Sequence, residues 1–108
     1  MGSIVICGYL PKADQAAAFE QVLATHAKVL REQGLVTKRP FVAMKNEAGQ
    51  YLEVFEWTSS AAIEAAHSNS AVQDLWGAFA AVCTYIPPAE VATLGELFAE
   101  FTPVDLPD

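Results

Sequence analysis

The chain has 108 residues, 53% of them apolar, with thirteen acidic residues against six basic and a formal net charge of −7. That length and apolar share suit one packed domain over residues 1–108 and exclude a disordered chain. The acidic balance argues against nucleic acid and anionic membrane surfaces as partners, and no apolar run approaches the ~20 residues that cross a bilayer.

The opening MGSIVICGYL has no positively charged start and no small-residue cleavage site, so it does not read as a signal peptide. Ile6 stands where a myristoylation signal needs Ser or Thr. A cytoplasmic protein is expected. Cys7 and Cys83 lie far apart without metal-type or redox-type spacing, and both read as reduced, buried thiols.

Residues 3–10 form a β-rich segment apolar on both alternating faces, hence a strand covered on both sides, ended by Pro11. Asp14 offers a cap for a helix over AAAFEQVLATHAKVLREQ. Phe19, Val22, Leu23, His26, Val29, Leu30 and Gln33 fall on one helical stripe. Gly34 followed by Leu35 predicts a Schellman-type end. LVTKRPFVAMK is a second strand, with Pro40 marking an edge or a bulge. NEAG is a turn, and QYLEVFEW a third strand. Thr58, Ser59 and Ser60 offer caps for a short helix carrying Ile63, Ala66 and His67. Ser70 with Gln73 reads as a capping box, opening a helix with Val72, Leu75, Trp76, Phe79 and Cys83 inward. Pro87-Pro88 interrupts regular structure, and LFAEFTPVDL supplies a last strand and tail.

The resulting order is β-α-β-β-α-β with the second helix broken, an α+β chain of ferredoxin-like pattern. Two helix segments cover one sheet face. The face carrying Tyr51, Phe55 and Trp57 is then expected to be wet, and an apolar face of that size predicts a homodimer with sheets packed face to face.

The stretch VFEWTSSAAIEAAHSNSAVQDLW resembles the antibiotic biosynthesis monooxygenase-like family of dimeric α/β-barrel proteins. The strand ending near a Trp, the capped helix, the AAH followed by Ser and Asn, and Gly34-Leu35 after the first helix carry the resemblance over nearly the whole chain. The family mixes cofactor-free oxygenases, haem-degrading enzymes, isomerase-like relatives and members of unknown role. The resemblance implies a homodimer with a cleft between each sheet and its helices. It further implies an oxidoreductase of monooxygenase type, without a cofactor, for a small aromatic or polycyclic substrate. Its alternative is a non-catalytic ligand-binding or accessory dimer. In haem-degrading members the axial histidine aligns at or near Trp76, and a Trp cannot ligate iron.

His67 ends a helix and is the catalytic candidate; the plainer and favoured reading is that its ring binds backbone at the helix break. His26 is read as a buried core histidine, or else as a base lining the cleft. Glu53 and Glu56 lie on opposite faces of one strand and cannot form a catalytic pair. Glu56 is taken as the strand carboxylate facing the helices and placed with the substrate-binding residues. Tyr9, Trp57, Trp76 and Tyr85 would line the cleft with aromatic walls and phenol donors; core packing is the commoner use of such residues. Lys38 and Arg39 read as solvated edge charges, or as partners of an acidic group at a cleft mouth. No metal site is predicted.

Overall fold

The alternating side chains of two paired strands organise the molecule. The computed structural model describes residues 2–107. Strand β1 spans Ser3–Pro11, helix α1 Ala16–Glu32, β2 Val42–Lys45 and β3 Tyr51–Trp57. Helices α2, Ser60–Ala66, and α3, Ser70–Val82, follow, then β4, Cys83–Ile86, and β5, Thr102–Val104. The five strands form one sheet in the order β4-β1-β3-β2-β5, every neighbouring pair antiparallel. The chain is thus α+β, with a five-stranded antiparallel sheet and three α-helices.

In β3, Tyr51, Glu53, Phe55 and Trp57 are all buried, and in α1 so are Phe19, Leu23, His26 and Leu30. The pairing Tyr9 with Tyr51 and Cys7 with Glu53 brings the inward side chains of β1 beside those of β3. This reverses an expectation from the sequence. The aromatic face of β3 is the one beneath the helices, and the face left open carries Ile4, Ile6, Leu10 and Val42 instead. Aromatic rings bury more apolar area than β-branched aliphatics, and they occupy the better-covered face.

The ends of the elements follow local chemistry. Gly34 has φ 69°, Leu35 N–H donates to the Leu30 carbonyl at 3.0 Å, and Gly34 N–H to that of Arg31 at 3.0 Å: the Schellman end of α1. Asp14 does not cap α1. It turns the chain at φ 61°, a conformation Asp tolerates, and Gln15 takes the cap position without a side-chain bond. Ser59 caps α2. For α3 the cap is Asn69, whose Oδ1 accepts from Val72 N–H at 3.1 Å; Gln73 donates to the His67 carbonyl rather than closing a box with Ser70.

The second strand is shorter than expected, and the fourth, Cys83–Ile86, falls where a turn-rich connection was expected. The second is only Val42–Lys45, because Pro40 has no donor for a ladder; upstream, Val36 makes a lone bridge to Trp57. The fourth begins at Cys83, directly where α3 stops, so Cys83 is a strand residue rather than part of a helical stripe. The strand expected near the C-terminus is an additional edge strand, β5, paired with β2. No helix among the described residues is long and apolar enough to cross a membrane.

Candidate functional site

The inward residues of β1, β3 and α1 converge on one carboxylate. Glu53 is 0% exposed. Its Oε1 accepts from the Tyr9 hydroxyl at 2.7 Å, and His26 Nδ1 lies 2.8 Å from Oε1 and 3.0 Å from Oε2. A carboxylate only accepts, so Nδ1 carries the proton and donates to both oxygens. In the neutral ring the lone pair then belongs to Nε2. Burial, and then the nearby Glu53 charge, pushes the Tyr9 phenol well above its ordinary value, which keeps it a donor.

The imidazole of His26 is held by aromatic rings as well as by Glu53. Phe79, Phe55 and Phe41 meet it edge to face at centroid distances of 5.1, 5.2 and 5.6 Å. Nε2 makes no hydrogen bond among the described residues. It is not sealed off either, since the one buried side-chain nitrogen or oxygen without a partner among these residues is Nε of Arg31. The His26 ring lines a cavity.

That cavity has a volume of about 350 Å³, within the range of roughly 300–1,000 Å³ typical of small-molecule sites. Val5, Cys7 and Tyr9 form its floor with Phe55 and Trp57; Ile63, Trp76 and Phe79 cover it from α2 and α3, and Tyr85 of β4 closes one side. Its polar atoms are few. Burial first, then the Glu53 charge, raises the Cys7 thiol to about 12, and burial raises the Tyr85 phenol to about 12. Both are neutral at physiological pH. Two of the lining residues, His26 and Tyr9, hydrogen-bond the Glu53 carboxylate, which does not itself line the cavity.

Of the residues singled out from the sequence, Tyr9, His26, Trp57, Trp76 and Tyr85 line this cavity, and Glu56 and His67 do not. Glu56 lies on the opposite sheet face, where its Oε1 accepts from Arg39 Nε at 3.0 Å and Thr37 Oγ1 at 2.9 Å. Those two bonds, the Arg39 one foremost, hold its carboxyl below the usual range. The strand carboxylate facing the helices is Glu53, because the inward parity of β3 is that of its aromatics. His67 is exposed. Its Nδ1 lies 2.9 Å from the Ile63 carbonyl, one turn back in α2, and its ring meets Trp76 edge-on at 5.2 Å. It thus closes a helix end and buttresses Trp76 from outside the cavity.

Glu53 as the partner of His26 escaped the sequence reading. The available signal was the alternation Tyr51, Glu53, Phe55, Trp57, which sets one carboxylate in the middle of the most aromatic strand face. No family model, no curated protein and no solved structure matches the chain.

Proposed function

We propose that the chain is a cofactor-independent monooxygenase for a small, flat aromatic substrate, with His26 as its base. One observation carries this reading: a histidine that lines an aromatic-walled cavity while its Nδ1 is held by a buried carboxylate. The resemblance of the 54–76 stretch to monooxygenase-like proteins supports the oxygen chemistry.

A suitable substrate is an anthrone, a ring ketone with an acidic CH₂. Trp57 and Trp76 supply flat apolar surface for it. A CH₂ proton passes to Nε2, while Nδ1–H stays on Glu53, so the imidazolium forms against a carboxylate. The electron pair left on carbon delocalises onto the ketone oxygen. The Tyr85 hydroxyl, which makes no hydrogen bond among the described residues, is a donor for that oxyanion. The carbanion reduces dioxygen and a C–O bond forms; the peroxide oxygen recovers the proton from His26. Loss of the second CH₂ proton with O–O cleavage releases water and leaves a new carbonyl. One dioxygen is consumed and one water formed per quinone, with no external reductant.

We also infer that the sheet and helices are a ferredoxin-like unit and that two copies pack sheet to sheet as an α/β barrel. The support is the open face, where Ile4 is 57% and Ile6 52% exposed, together with Val42 and Leu10. Two free cysteines fit a reducing, cytoplasmic setting.

The test is oxygen uptake with an anthrone, monitored alongside quinone formation. We expect uptake by the wild type and a loss of about 10²–10⁴-fold in His26→Asn. Binding without uptake would make the chain a ligand-binding protein. Uptake that survives His26→Asn would remove the histidine from the chemistry.

A further inference from the structure

A second cavity, of about 540 Å³, lies between α1 and residues 103–107 and shares no lining residue with the first. Leu23, Phe41, Val104 and Leu106 give it apolar walls, and Arg31 and Lys38 bring two cations to it. The Arg31 guanidinium lies over the Phe41 ring, 5.5 Å from the centroid. Its Nη2 makes only a long 3.4 Å bond to the Arg39 carbonyl. Nε of the same group is the buried atom left without a partner among the described residues.

Among the described residues, neither cation pairs with a carboxylate. The ion pairs among the described residues are His26 with Glu53, Arg39 with Glu56 and Lys45 with Glu20. Asp105 lines the same cavity, yet pairs with neither Arg31 nor Lys38. In a chain with thirteen acids and six bases, a cavity lined by two cations and one carboxylate, with neither cation in an ion pair among the described residues, is a local inversion of charge. Phe41 holds the guanidinium plane in place. The ring is itself fixed by stacking on Phe55 at 4.7 Å and by the edge contact with His26.

We propose that this cavity binds a small amphipathic monocarboxylate. Its apolar body lies on Leu23, Val104 and Leu106, and its carboxylate takes the planar fork of Arg31 and the Lys38 ammonium. A guanidinium fork matches a carboxylate with two parallel bonds. Asp105 at the same cavity disfavours a dianion such as a phosphate monoester. The site shares no lining residue with the His26 cavity, although its Phe41 touches His26, and the proposal does not rest on the reaction proposed there.

The experiment is a titration of the methyl-labelled full chain with octanoate, and separately with 1-octanol, followed by NMR. We expect saturable shifts at the Leu23, Val104 and Leu106 methyls, with octanol at least about tenfold weaker. Arg31→Gln and Lys38→Gln should each weaken octanoate by about tenfold, and added salt should weaken it in the wild type. Lys38 is exposed, so its variant carries the test if Arg31→Gln does not fold. Equal affinity for octanol, unchanged affinity in the variants, shifts confined to Val5 and Ile63 of the first cavity, or no saturable shift at all would each overturn the proposal.

Discussion

His26 Nδ1 stands 2.8 and 3.0 Å from the two oxygens of a Glu53 carboxylate that is wholly buried. The forked contact fixes the ring's tautomer as well as its position. Glu53→Gln separates these two effects. The amide keeps the shape but can donate to Nδ1, which moves the ring proton to Nε2 and takes up its lone pair. We expect ¹⁵N spectra of the imidazole to show protonated Nδ1 in the wild type and protonated Nε2 in the variant. Any turnover should fall by about 10²–10⁴-fold with it. An unchanged tautomer in Glu53→Gln would rule out this account of the pair.

Glu53→Ala is a different perturbation. It deletes the acceptor for two buried donors, Tyr9 and His26, and leaves a void under α1. Breaking a buried pair by removing one partner costs about 3–5 kcal/mol. Chemical denaturation should show a loss in that range for Glu53→Ala and a smaller one for Glu53→Gln. Equal stability of all three proteins would mean the pair is not closed in solution.

How much of this was readable from the sequence depended on the kind of signal. The Schellman end at Gly34 and Leu35 and the α1 stripe through Phe19, Leu23, His26 and Leu30 were legible, because glycine at positive φ and a 3.6-residue period act locally. The covered face of β3 was not. Period-two alternation says which residues share a face but not which face meets the helices. That one ambiguity hid Glu53 and promoted Glu56. His67 drew attention as a histidine at a helix end, yet its partner, the Ile63 carbonyl, lies one turn back in its own helix. His26 was recognised as lying on the core stripe, but its partner is twenty-seven residues away, across the α1–β3 packing.

The thiols of Cys83, which is buried, and of Cys7, which is only half-buried and not fully buried as expected, give the fold an alkaline limit. Burial raises Cys83 from 9.0 to about 11 and Cys7 from 9.0 to about 12. A group whose folded-state value is raised binds its proton more tightly in the native state. Its contribution to stability is therefore complete below the unfolded value and is lost as pH rises toward the folded one. Melting temperature should be insensitive to these groups up to about pH 9 and fall between about pH 9 and 12. Cys7→Ala with Cys83→Ala should flatten part of that slope. An identical slope in the double variant would assign the alkaline loss to other groups.

His67→Ala tests the role outside the cavity. The ring contacts one carbonyl and one edge of Trp76, and is otherwise exposed. Loss of one hydrogen bond at a surface helix end costs about 0.5–1.5 kcal/mol. We expect a small drop in denaturation midpoint and no change in the His26 tautomer. A change in the imidazole spectrum of His26 would instead tie His67 to the site through Trp76.

The open sheet face makes the last prediction. Ile4 and Ile6 alternate with the inward Val5 and Cys7, so they can be charged without touching the cavity. If two copies pack through this face, a charge at its centre is buried without a partner in the dimer and solvated in the monomer. Ile6→Glu should therefore leave the far-UV spectrum and the His26–Glu53 contact intact while shifting sedimentation from dimer to monomer. Val42→Glu, also exposed and two strands away from β1, should act the same way. The effect should grow at low salt, where like charges across a two-fold axis repel over a longer range. A wild-type chain that sediments as a monomer at all concentrations would withdraw the dimer. It would leave the exposed isoleucines as a surface for a partner of another kind.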